Sequence, residues 1–82
     1  MEKKPIGEVT HYYDKIGVAI VKFNRSVKVG ETVQFQGANT DFPQTLDSIQ
    51  YDHKAIEVAK KGQEVGIKVD QKVHEGIKVY EA

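Results

Sequence analysis

Neither cysteine nor tryptophan occurs in the 82 residues, and methionine occurs once. The missing thiols exclude disulfides, cysteine-ligated zinc and thiol nucleophiles, so the fold must stand on packing. Net charge is also missing. Lys and Arg total 12 against 12 Asp and Glu, which leaves no global basic field to draw the chain onto nucleic acid. The longest apolar run, Ile16 to Val21, falls far short of the ~20 residues needed to span a bilayer. Met1 to Pro5 leads into no signal-peptide core, so a soluble, unexported, cytoplasmic protein is expected, with no membrane partner. No phosphate loop ending in Gly-Lys-Ser/Thr is present, so no nucleotide is expected. Repeats and low-complexity segments are absent as well.

What remains is a chain of one-domain length with strong β patterning. Residues 1–5 read as a flexible charged tail and 6–82 as a single domain, because Pro5 lacks a donor and favours an extended residue before it. A strand is predicted over Ile6 to Tyr12 or Tyr13, then a turn at Asp14-Lys15-Ile16-Gly17. Val18 to Phe23 follows as a strand apolar on both faces. Asn24-Arg25-Ser26 breaks it. Val27-Lys28-Val29-Gly30-Glu31 turns the chain, and Thr32 to Gln36 places Val33 and Phe35 on one face. Gly37 to Gln44, with its Gly, Asn, Asp and Pro, reads as a loop. Thr45 to Tyr51 alternates, Asp52-His53-Lys54 is a hairpin turn, and Ala55 to Lys61 is read as a short strand and turn. Glu64 to Val69 is the clearest strand, with Val65, Ile67 and Val69 on one face, and Ile77 to Tyr80 is the last. Short strands divided by turn signals predict an all-β fold, a small closed antiparallel barrel of about six or seven strands, because closure removes exposed edges.

The resemblance lies in Ile6-Gly7-Glu8-Val9, Val27-Lys28-Val29-Gly30-Glu31-Thr32-Val33, Ser48-Ile49-Gln50, Ala59-Lys60-Lys61-Gly62-Gln63-Glu64-Val65-Gly66-Ile67 and Glu75-Gly76-Ile77-Lys78-Val79-Tyr80. In that order and spacing the chain resembles the β-barrel second domain of translational GTPases such as elongation factor Tu, detached from any GTPase. The resemblance implies a non-catalytic binding module, an RNA-, tRNA- or ribosome-associated accessory protein. It places the pocket for the aminoacylated end of tRNA on Gln50, His53 and Glu64. Those positions differ in type from the family's Glu, Arg and Asn, and Glu64 would repel phosphate. The same barrel type also resembles a C-terminal accessory domain of collagenase-like peptidases and of some tRNA- or rRNA-modifying relatives. That resemblance implies a protein-interaction adaptor.

Two candidate surfaces come from the residues themselves. Tyr12, Tyr13 and Lys15, beside His11, with Lys22, Arg25 and Lys28, interleave rings with cations as single-stranded RNA binding requires. The alternative is one tyrosine packed inside and lysines on solvated strand faces. In the strand from Val18 to Phe23, one of two apolar sets must face outward. An outer strip at Val18 and Ile20 would be a docking surface for another protein, unless a loop such as Gly37 to Gln44 covers it. His11, His53 and His74 are too dispersed to suggest a metal site, Ser26 and Ser48 sit in no nucleophile motif, and neither enzyme activity nor a cofactor is expected.

Overall fold

The computed structural model describes residues 4–82. The tail expected over 1–5 falls partly outside those residues. Pro5 is half-buried, and its carbonyl accepts a hydrogen bond from Asn24 Nδ2 at 3.1 Å.

Ten strands run in chain order: β1 (Gly7–Tyr13), β2 (Val18–Phe23), β3 (Val27–Lys28), β4 (Thr32–Gly37), β5 (Thr40–Thr45), β6 (Ile49–Tyr51), β7 (Lys54–Ile56), β8 (Val58–Ala59), β9 (Glu64–Lys68) and β10 (Lys78–Glu81). Eight form one sheet in the order β5-β4-β10-β1-β2-β9-β6-β7, and β3 pairs with β8 apart from it. The all-β class is as expected; the closed barrel is not. No ladder joins β5 to β7, so the sheet is open. The corner after β3 stands between the two ends instead. Leu46 N bonds to Glu31 O at 2.8 Å on the β5 side, and Val29 N bonds to Glu57 O at 2.8 Å on the β7 side. Gly30 turns this corner at φ 96°, a conformation costly to a residue with a Cβ, and its N–H reaches Leu46 O at 2.8 Å. Isolated bonds through an irregular corner thus do what a continuous ladder does in a closed barrel.

The segment from Gly37 to Gln44 is a second departure. It is no loop: β4 and β5 form a two-residue hairpin, with Gly37 opposite Thr40 and Asn39 in the left-handed region at φ 62°. Pro43 does not stop the strand because β5 is the sheet's edge, where a missing donor interrupts no ladder. Asp52 and His53, both at positive φ, make the expected turn between Tyr51 and Lys54.

Inward-facing residues alternate along each strand and meet in one core. Ala19, Val21 and Phe23 of β2 pack with Val33 and Phe35 of β4, Val65 and Ile67 of β9, and Val79 of β10. Phe35 and Phe42 stack with centroids 5.3 Å apart. One buried polar side chain enters this apolar set. Gln44, 3% exposed, donates through Nε2 to Thr45 O at 2.9 Å and accepts from Asp70 N at 2.8 Å. The first bond stays within β5 and fixes the amide, and the second ties the edge strand to the segment after β9.

A bulge in β1 sets the outer surface. The register with β2 shifts between Val9 and His11, and the extra residue, Thr10, donates its hydroxyl to Ile20 O at 3.3 Å. Straight alternation from buried Val9 would turn His11 and Tyr13 inward. The bulge reverses that phase, so Tyr12 packs against the core while His11 and Tyr13 stay exposed with rings 4.4 Å apart.

Candidate functional site

The outer face of the sheet divides into a charged row and an apolar cleft. Cross-strand pairing aligns Asp41, Gln36, Lys78, Glu8, Lys22 and Glu64 across six strands, with the signs of the charged members alternating. Within it Lys78 Nζ meets Glu8 Oε1 at 2.5 Å, and Gln34 Nε2 from the neighbouring row bonds Asp41 Oδ1. Such a row neutralises itself.

The next row reads His11, Ile20, Gly66 and Gln50. Here Val18 and Ile20 face outward and are half-buried, while Ala19 and Val21 fill the core. With Tyr13, Ile16, Gly66 and Asp52 they line an open cleft of about 450 Å³. Tyr13 is 48% exposed and Ile16 63%. Nothing from Gly37 to Gln44 lines it, because that segment is the β4–β5 hairpin near the other end of the sheet. Among the described residues, therefore, nothing covers the apolar strip.

The sequence-derived site residues separate. Tyr12 is the tyrosine that packs inward. Lys15 is exposed in the turn closed by Gly17 N to Tyr13 O at 2.9 Å. Lys22 belongs to the charged row, and Lys28 is exposed on β3 in the separate two-stranded ladder. Arg25 is held within the chain: its guanidinium lies 3.5 Å from Glu31 Oε1 and 3.2 Å from Glu81 Oε1, and it donates to Ser26 O at 2.8 Å. Those three cations form no common patch, since one is in the row, one is clamped and one is on another ladder. Gln50 and His53 line the apolar cleft, whereas Glu64 lies in the charged row opposite Lys22. Among the described residues no group of three or more His, Asp or Glu could hold a metal ion, and no helix is long and apolar enough to cross a membrane.

Three of the cleft's residues were not singled out from sequence, although each left a signal. Ile16 is a large apolar residue inside a polar turn, Gly66 interrupts the clearest strand, and Asp52 opens a turn that suits Asn-Gly.

Comparison with known proteins places the fold. The family described as the peptidase family U32 C-terminal domain matches residues 2–77. An uncharacterised protease of Methanocaldococcus jannaschii is 38% identical over 79 residues, which are 95% of this chain and 19% of the relative. A collagenase of Porphyromonas gingivalis is 28% identical over 81 residues, 96% of this chain and 22% of the relative. The chain thus spans about a fifth of the length of the curated relatives it matches. Two crystal structures of the C-terminal domain of a Geobacillus thermoleovorans protein described as a U32 peptidase superpose with a TM-score of 0.88 at 23% and 22% identity. They cover 96% and 98% of this chain, and it covers 100% and 92% of theirs.

These findings overturn the resemblance to translational GTPases, and with it the reading as a translation-factor-like, RNA-binding, ribosome-associated protein. The shared Val-Gly-Glu corner and Lys-Lys-Gly turn are solutions to β-folding that more than one lineage uses, and they carry no partner with them. The match to the U32 family spans residues 2–77, and the second resemblance, to the accessory domain of collagenase-like peptidases, is the one these findings support. This chain belongs to the peptidase family U32 C-terminal domain.

Proposed function

We propose that the chain is a non-catalytic accessory unit that docks onto the catalytic part of a U32 peptidase-type protein. The observation that carries this is the uncovered apolar strip of Tyr13, Ile16, Val18 and Ile20 beside a row whose charges alternate in sign. Contiguous apolar surface bordered by polar residues is the anatomy of an interface, and domains of one chain meet through such patches. The relatives support the choice of host, since each carries about four-fifths of its length beyond the part matched here, and two are named a protease and a collagenase. Ser26 and Ser48 are exposed and sit in no nucleophile motif, which supports binding as the unit's contribution.

The test is calorimetric titration of this chain into the Methanocaldococcus jannaschii relative from which its own copy of the unit has been deleted. Saturable binding with a negative heat-capacity change and little loss between low and high salt is expected. Absence of binding, or hydrolysis of gelatin by the isolated 82-residue chain, would overturn the proposal.

A further inference from the structure

We infer that the cleft over Gly66 receives one extended segment of the catalytic part, with an apolar side chain in the slot and a lysine or arginine two positions further on, paired with Asp52. This rests on the docking reading above and specifies its contact.

Gly66 is the centre of the argument. It lies in the interior of β9 with unbroken register to Ile20 on one side and Gln50 on the other. Its φ is not among the positive values found at Gly17, Gly30, Gly62 and Gly76, so the backbone does not require glycine there. Space does not forbid a side chain outright: a Cβ would sit 3.3 Å from Val18 Cγ1, a tight fit, and 3.7 Å from Ile20 Cδ1, an ordinary contact. Glycine inside a strand weakens it relative to alanine, and without a bulge its remaining use is to let another chain approach closely. The missing side chain leaves a slot between Ile20 and Gln50.

Two other departures from local preference line the same cleft. Ile16 is the most exposed large apolar residue among those described, and His53 holds a left-handed conformation at φ 65°, where glycine is the favoured residue. Three unfavourable local choices converging on one cleft are what a functional surface produces. The wall's one permanent charge is the Asp52 carboxylate, which has no ion-pair partner among the described residues. Lys68, opposite Val18, stands outside the lining. The complement is therefore apolar with one cation. Spacing follows from the register: Gly66 pairs with Gln50, and Asp52 is two residues beyond Gln50. Side chains two apart on an extended segment are separated by about 6.6 Å, so an apolar-x-basic triplet spans slot and carboxylate.

The experiment titrates ¹⁵N-labelled chain with synthetic peptides tiling the part of the Methanocaldococcus jannaschii relative outside its copy of the unit. Peptides holding an apolar-x-Lys or apolar-x-Arg triplet should shift the Ile20, Gln50 and Gly66 amides. Gly66→Val should weaken binding tenfold or more, and Ile16→Asp, in an exposed turn that cannot disturb the core, should do the same. Asp52→Asn should weaken it at least threefold, with no further loss when the peptide's basic residue becomes norleucine. The inference is overturned if no peptide shifts these amides, if the shifts map to the Lys22 row or the β5 edge, or if Ile16→Asp and Gly66→Val bind like wild type. Should the domain-deleted relative bind wild type and Gly66→Val equally, docking stands and the cleft assignment falls. Should it bind neither, both fall.

Discussion

Replacing Gln44 by methionine keeps the length and bulk of the side chain and removes its polar end. The side chain is 3% exposed and makes two bonds, to Thr45 O at 2.9 Å and from Asp70 N at 2.8 Å. Each bond is worth about 0.5–1.5 kcal/mol net, and a donor left stranded at a part-buried site raises the cost toward the upper figure, so the sum is ~2 kcal/mol. Methionine refills the site, so no cavity term is added. In a domain of this length 1 kcal/mol moves Tm by about 4–8 °C, which predicts a fall of roughly 8–16 °C. Circular dichroism melts of wild type and Gln44→Met measure it directly. Native-state hydrogen exchange supplies the local readout, because the Asp70 amide should lose protection beyond the global change. Gln36→Met is the control: Gln36 is exposed and its bond to Asp41 is long, at 3.5 Å, so its stability should move by no more than ~0.5 kcal/mol. Equal melts for wild type and Gln44→Met, with Asp70 still protected, would refute the claim that this side chain ties the edge strand to the segment after β9.

Two further substitutions test the fold. Gly7→Ala would place a Cβ 2.9 Å from Phe23 Cδ1 and 3.0 Å from the Lys22 carbonyl, so overpacking against a buried ring and fixed backbone should cost ~1–3 kcal/mol, read as a lower urea midpoint at unchanged slope. His53→Gly should stabilise. His53 sits at φ 65°, where glycine escapes a penalty of ~1–2 kcal/mol, and after the extra freedom of the unfolded chain a gain of roughly 0.5 kcal/mol should remain in the thermal midpoint.

Local chemistry made the individual strands legible. Alternation placed Val33 with Phe35 and Val65 with Ile67 on the buried face, and Gly30 and Asp52 turn where their backbone preferences indicate. Whether the sheet closes depends on pairing between segments far apart in the chain, and no residue of β5 or β7 announces that its outer edge stays open. Pro43 argued for a loop only because the strand's edge position was unknown. Arg25 looked like a free cation because one of its partners, Glu81, lies at the far end of the chain. The outward strip at Val18 and Ile20 was legible as one of two options, but which set turned outward depended on which face the core chose. Lineage was the least legible. A Val-Gly-Glu corner records a turn geometry, and a turn geometry does not name a family.

The strand order has a consequence for how this chain comes to be folded. β10, the strand nearest the C-terminus, lies between β4 and β1, and the backbone of Ile6 bonds Val79 O at 2.7 Å. Until residues 78–81 are available, β5-β4 and β1-β2-β9-β6-β7 share no ladder and meet only through the corner after β3, with two additional raw edges. Pairing across more than 70 residues of sequence also imposes a large loop-closure cost, so the last step is slow as well as late. A ribosome emitting this chain therefore holds two incomplete half-sheets with sticky borders until the final strand slides in and joins them.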